Sequence, residues 1–176
     1  MAIRNYLIEG ISGAGKTSVA TELERRGYHV IHGDRTLAYS GDPRTGEPLE
    51  NTAWHTNSHD PGFVHAHHVW DINKVRTLLV DQNHPVSFFC GGSRNFHQFI
   101  GLFDGVFVLD IDVETLKSRL AERPDGEFGS NPGEQALILR LHATKEDIPA
   151  SAVAINATRP LASVVDDLLA KCITGS

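Results

Sequence analysis

Residues 10–17, GISGAGKT, put Gly10, Gly15, Lys16 and Thr17 in the spacing GxxxxGK[ST]. That spacing suits one chemistry. Small residues let the backbone N–H groups of Ser12, Gly13, Ala14 and Gly15 approach phosphate oxygens, and a helix opening at Lys16, Thr17 and Ser18 aims its N-terminus at the anion. The lysine neutralises the β and γ phosphates, and the threonine hydroxyl is a ligand for Mg²⁺. An apolar run before the turn and a helix-forming run after it supply the flanks the motif requires, so ATP and Mg²⁺ are the expected ligands. The competing reading is an ordinary glycine-rich turn between a strand and a helix.

Three further stretches carry groups suited to moving a phosphate. In HGDRTLAY, Asp34 can order Mg²⁺ waters or accept a proton from an attacking hydroxyl, and Arg35 can hold an acceptor phosphate; alternatively Asp34 only caps a following helix. In CGGSRN, Gly91 and Gly92 permit close approach of a ligand with Arg94 at the same edge, or the stretch is a plain glycine turn with a surface arginine. In DVETLKSRLAER, Asp112 is placed to cap a helix whose buried stripe is Val113, Leu116 and Leu120. Arg119 and Arg123 then lie one turn apart on another face, able to reach one ligand or to pair with Glu114 and Glu122. PDGEFGSNPG breaks the helix until about Glu134, so a lid is expected over about residues 123–133, closing to exclude water.

The elements that must position these groups are short apolar runs alternating with amphipathic segments. Strands are expected at 6–9, 28–31, 86–90, 105–111 and 152–156. Helices are expected at 16–26, ended by Gly27, and at 161–172, where Leu161, Val164, Val165, Leu168 and Leu169 share one face. This rhythm predicts an α/β fold, a parallel five-stranded sheet covered by helices on both faces. At 176 residues and 40% hydrophobic, the chain suits one domain. The net charge of −6 argues against a nucleic acid polymer or an anionic membrane as partner. Cys90 and Cys172, far apart in sequence, suggest neither a disulfide framework nor a CxxC site. With no apolar leader at the N-terminus, a soluble, cytoplasmic monomer or homodimer is expected.

Residues 35–69 are too long for a plain connection, and about 35–70 is assigned as an acceptor-binding insert. In it Trp54, Phe63 and Trp70 can stack on a base or cover an apolar ring. His55, His59, His65, His67 and His68 read as polar packing or hydrogen-bonding groups, one of them a candidate base, rather than as a Zn²⁺ site, since no cysteine accompanies them.

Taken in order, these segments resemble the P-loop kinases of the nucleoside monophosphate kinase group, of which adenylate kinase is the best-known member. The resemblance covers nearly the whole chain except residues 36–80. GDRTLA is similar to the GDxLR segment that meets the acceptor nucleotide. CGGSR falls where adenylate kinases have DGFPR, which implies that Arg94 bridges donor and acceptor phosphates. VFVLDIDVETLKSRLAER is similar to the fourth strand and the helix leading to the lid, which implies Arg119 against the adenine and Arg123 on the donor phosphates. INATRP is similar to the DGTKP loop, bringing Asn156, Ala157 and Arg159 to the base. The resemblance also implies a three-layer P-loop NTPase fold with sheet order 2-3-1-4-5.

Two departures matter. Cys90 stands where the family carries an aspartate that helps order Mg²⁺, a task that falls to Asp34. The Gly-Gly edge beside a single aspartate is also similar to shikimate and gluconate kinases, whose carboxylate faces a hydroxyl. Arg35 and Arg94 together lean toward an acceptor that carries negative charge. The reading is therefore a single-domain, ATP-dependent kinase spanning residues 1–176 and acting on a nucleotide or similar small acceptor. In it Lys16 and the loop hold the phosphates, Thr17 and Asp34 position Mg²⁺, and Arg94 and Arg123 stabilise the transferring group. The alternatives are a metabolite kinase acting on a hydroxyl, and a regulator that hydrolyses ATP slowly for a protein partner.

Overall fold

A computed structural model describes residues 3–174. Strand β1 (Arg4–Glu9) lies at the centre: Leu7 pairs with Phe89 of β5 (Val86–Cys90) on one side and Val106 of β6 (Gly105–Asp110) on the other. β2 (His29–His32) adds outside β5 and β7 (Val153–Asn156) outside β6, all parallel. The order β2-β5-β1-β6-β7 is the expected 2-3-1-4-5 when these strands alone are counted along the chain.

Alternation along the strands divides the core between two faces. Tyr6, Ile8 and Phe88 point toward α1 (Lys16–Arg25) and α8 (Leu161–Thr174), where Val19, Leu23, Val165 and Leu168 bury them. Leu7, Ile31 and Phe89 point the other way, onto Val75 of α5 (Ile72–Leu79) and onto Trp70 and Phe99. A strand buried on both faces needs an unbroken apolar run, which is why these segments read as runs and not as alternating patterns. The polar exceptions include Asn5 and Ser87 near the N-terminal ends of β1 and β5, and Glu9, a carboxylate 1% exposed at the C-terminal end of the central strand.

The outer helices are set by their caps. Asp112 accepts a hydrogen bond from Thr115 N at 2.7 Å and starts α6 (Val113–Ala121) as expected. Asn131 does the same for Glu134 N at 2.9 Å, so with Pro132 in the first turn α7 (Pro132–Thr144) starts slightly earlier than expected. Turns and bends fill the stretch between these two helices.

The segment assigned as the insert carries several short elements. It holds α2 (Gly33–Thr36), β3 (Ala38–Ser40), α3 (Asn51–Asn57), α4 (Pro61–Ala66) and β4 (His68–Trp70), with β3 and β4 forming an antiparallel ribbon through Ala38↔Trp70, Tyr39↔Val69 and Ser40↔His68. Elements this short are marginal alone, and Leu37, Val69 and Trp70 anchor the ribbon by full burial beside the sheet. No helix among the described residues is long and apolar enough to cross a membrane.

Candidate active site

The glycine-rich turn joins β1 to α1. Gly10, Gly13 and Gly15 take φ of +156°, +90° and +102°, conformations that side chains rarely adopt, and a Cβ on Gly13 would sit 2.9 Å from Leu116 Cδ1. The turn is thereby pressed against α6. Lys16 Nζ donates to the carbonyl oxygens of Gly10 and Ile11, the latter at 3.0 Å. Burial pushes the Lys16 ammonium below its usual range, an effect opposed by Asp34 and Glu9 nearby.

Arg119 leaves α6 and donates to Gly13 O and to Ala157 O, each at 3.2 Å, tying the turn to the loop after β7. Arg123 donates to Ser12 Oγ at 3.3 Å and faces Glu127 at 3.7 Å. Neither arginine pairs with Glu114 or Glu122; the ion pair on that helix is Lys117 with Glu114, at 3.9 Å. Both open onto a cleft of about 850 Å³ lined by residues 10–19 and by Asp34, Arg35, Gly92, Arg94, Arg119, Arg123 and Arg159. A volume of that order holds a ligand the size of a nucleotide.

Asp34 lines the same cleft and shares a smaller recess with Lys16 and Thr17. It lies inside the first turn of α2 and is not its cap, which corrects the capping alternative. Its Oδ1 receives His68 Nε2 at 3.0 Å and Trp70 Nε1 at 3.5 Å. Burial pushes the carboxyl up, but the bonds from His68 and Trp70 and the charges of His68 and Lys16 outweigh it and hold Asp34 below the usual carboxylate range. Gly33 is required here, because any Cβ would run into the Trp70 indole.

Behind this wall Arg94 is held by acids. Its NH1 donates to Asp147 O at 2.8 Å and lies 3.4 Å from Asp147 Oδ2, with side chains only 13% and 6% exposed. His65 of α4 reaches the same Oδ2 at 3.4 Å, an ion-pair distance without hydrogen-bond geometry. Burial pushes Asp147 up, and His65 and Arg94 more than compensate, leaving it below its usual range. Glu9 lies beneath the turn, where burial pushes it up to about 7, partly offset by Arg94, Lys16 and the N–H groups of Gly10 and Ser93. His65 Nε2, Ser93 Oγ, Arg94 Nε and Asp147 Oδ1 are buried without a hydrogen-bond partner.

Several expectations need correction. Trp70 is 1% exposed and stacked on Phe99 at 5.6 Å, so it is a core residue that donates to Asp34, not a platform for a ligand ring. Trp54 lies in α3, outside the residues lining the cleft, and Phe63 packs on His67 at 4.2 Å. Asn156 is exposed, accepts from Thr158 N at 3.0 Å and does not line the cleft; Ala157 and Arg159 do. Arg35 lines the cleft but is exposed, and Gly91 lines a smaller recess beside it. Sequence reasoning missed Glu9 and Asp147. Glu9 left a signal, a lone acid in an apolar run just before the turn; Asp147, brought in by the end of α7, left none.

Thr17, Lys16 and Asp34 share the smaller recess with Cys90 and Gly91. The Cys90 thiol is pushed up by burial and stays protonated, so it offers no anionic ligand. Among the described residues no three acids, cysteines or histidines group to hold a metal. A hydroxyl and one carboxylate suit Mg²⁺, which keeps several waters and takes its other ligands from phosphates.

The fold and the turn define a P-loop protein with the architecture of the P-loop kinases. Residues 7–140 match the AAA domain model, and the chain belongs to that family. A shikimate kinase from Bacteroides thetaiotaomicron superposes with a TM-score of 0.60 at 18% identity, covering 97% of this chain and 99% of that one. A sugar kinase from Janibacter sp. gives 0.55 at 16% identity, covering 96% and 93%. Shikimate kinase from Aquifex aeolicus gives 0.56 at 16% identity, covering 97% and 96%. No curated protein matches the chain.

Proposed function

We propose that this chain is an ATP-dependent kinase that transfers the γ-phosphate to a hydroxyl of a small molecule. One observation carries the reading: a single cleft has the glycine-rich turn with Lys16, Arg119 and Arg123 at one end and an ionised Asp34, anchored through Oδ1 alone, at the other. The names of the superposed kinases support it, since each acts on a small hydroxylated compound or a sugar.

ATP binds with its phosphates on the turn, and Lys16 exchanges the carbonyls of Gly10 and Ile11 for phosphate oxygens. Arg119 and Arg159 flank the base, and Arg123 follows the γ-phosphate as the stretch after α6 closes. Thr17 and Asp34 would hold Mg²⁺, which would supply positive charge to the phosphates. The acceptor oxygen forms a bond to γ-phosphorus while the bond from γ-phosphorus to the bridging oxygen breaks, and ADP leaves. The hydroxyl proton passes to the Asp34 carboxylate. A weak base suffices, because a loose phosphoryl-transfer transition state needs little proton removal.

The likeness to nucleoside monophosphate kinases is the finer question within this reading, since there the acceptor oxygen belongs to a phosphate. The experiment is ADP release from Mg-ATP across nucleoside monophosphates, nucleosides and hydroxylated metabolites, with Lys16→Ala as control. An acceptor-dependent rise, lost in the control, is expected. Turnover by folded Lys16→Ala at the wild-type rate would sink the reading, and ATP turnover answering only to a protein partner would replace it with a regulatory ATPase.

A further inference from the structure

The acceptor end of the cleft carries cations, yet almost none is available. Arg94 is bound to the carbonyl and carboxylate of Asp147 at 2.8 and 3.4 Å, and it also compensates the buried Glu9. His65 lies on Asp147 and His68 on Asp34, so any charge either ring takes up is matched by a carboxylate already in place. Among the described residues, the cations here outside such pairs are Arg35, which is exposed, and Lys16, which the donor phosphates recruit. An exposed ion pair contributes too little to select an anion against the neighbouring acids. A phosphate or carboxylate placed at this wall meets Asp34 and Asp147, and the charge of its buried arginine, Arg94, is already balanced by Asp147, while the unpartnered Arg94 Nε–H can serve a neutral oxygen.

From this arrangement we infer that the acceptor is an uncharged, polyhydroxylated small molecule, taken by the Asp34–Asp147 wall through hydroxyl hydrogen bonds; the inference rests on the kinase reading above. Hydroxyls fit because each one donates and accepts. Asp34 keeps Oδ2 free of the His68 and Trp70 bonds, and the wall mixes acceptors with the histidine donors. A site of this kind discriminates through its polar groups: a ligand that cannot pair with them leaves them desolvated and unpaired.

The test measures kcat/KM with Mg-ATP for aldoses and alditols, for the matching aldonic and uronic acids, and for nucleoside monophosphates, in the wild type, Lys16→Ala and Asp147→Asn. The expected result is that an uncharged acceptor exceeds its carboxylated counterpart at least tenfold, with transfer to either falling at least a hundredfold in Lys16→Ala. Asp147→Asn releases Arg94 and is expected to shrink that ratio about tenfold. Preference for the carboxylated or phosphorylated acceptor, with transfer still dependent on Lys16, overturns the inference and leaves the kinase reading standing. A folded Asp147→Asn with an unchanged ratio also overturns it. If that variant fails to fold, the wild-type ratio alone decides. Absence of transfer to every acceptor, in protein that binds ATP, removes the kinase reading and the inference together.

Discussion

The two ends of the cleft treat their cations in opposite ways. At the donor end Lys16 and Arg119 rest on neutral carbonyls, those of Gly10, Ile11, Gly13 and Ala157. At the acceptor end Arg94 and the two histidines rest on carboxylates. A cation on a carbonyl keeps its net charge and can be recruited by a polyanion at the cost of an ordinary hydrogen bond. Arg94, on the buried Asp147, cannot be recruited without leaving that acid unpaired, which costs several kcal/mol, whereas the half-exposed contact of His68 with Asp34 is held only weakly. Arg123 is intermediate, since Glu127 opposite it is largely exposed and easily displaced. The donor end is thus prepared for ATP, and the acceptor end for a molecule without charge.

If the two ends are separate devices, damage to one should spare the other. Asp34→Asn is expected to have the largest effect, lowering acceptor-dependent kcat by about 10²–10⁴ because the carboxylate that orients the acceptor hydroxyl, takes its proton and would help hold Mg²⁺ is lost. Its affinity for ATP without Mg²⁺, measured by calorimetric titration, should stay near that of the wild type, since Asp34 meets the donor only through the metal. A parallel fall in that affinity would show that Asp34 contacts the nucleotide itself. Lys16→Ala comes next, with a loss of about 10²–10³ in kcat together with weaker ATP binding, since one preorganised positive group is removed from the developing charge.

Glu9 tests the boundary, because it lies beneath both ends and interacts with Lys16 and Arg94 alike. Its folded-state value of about 7, against 4.5 when unfolded, means that the folded chain binds more protons across that window. Stability from this group is therefore present at low pH and declines as pH rises toward 7 and above. Glu9→Gln removes the decline and is expected to be more stable than the wild type by about 3 kcal/mol at pH 8, with the difference vanishing near pH 4.5. Urea denaturation of both proteins at pH 5 and pH 8 reads this directly; parallel profiles would mean that the arginine and lysine charges keep Glu9 ionised.

The same contrast explains what was legible in the sequence. The donor end is built from consecutive residues 10–18, whose backbone does most of the binding, so its identity and spacing survive in a linear reading. The sheet was legible because central strands must be unbroken apolar runs. The acceptor end gathers Asp34, His65, His68, Arg94 and Asp147 from separate segments, and no local pattern links them. Trp70 misled for the same reason: an indole in a polar, histidine-rich stretch looks like a ligand platform until the ribbon buries it against Phe99. At Arg94 the linear reading hid the partner, because Asp147 lies fifty-three residues further along the chain.

The smallest expected effect bears on how the acceptor end holds its base. His68 Nε2–H donates to Asp34 Oδ1 and so leaves Oδ2 toward the acceptor, while its backbone carbonyl accepts from Arg94 N at 2.8 Å whatever side chain stands there. His68→Ala therefore removes only the side-chain bond. A hydrogen bond to a charged group is worth roughly 1.5 kcal/mol, so kcat should fall about tenfold with KM for ATP unchanged. Because the bond from His68 helps hold the Asp34 carboxyl down, its loss should also move the acidic limb of the pH–rate profile to higher pH. His68→Gln, which keeps an N–H donor, should recover most of the rate and return the limb toward its wild-type position. A tenfold loss with no movement of the limb would assign His68 to packing of the ribbon. An unmoved rate would mean that Trp70 and the backbone orient Asp34 without it.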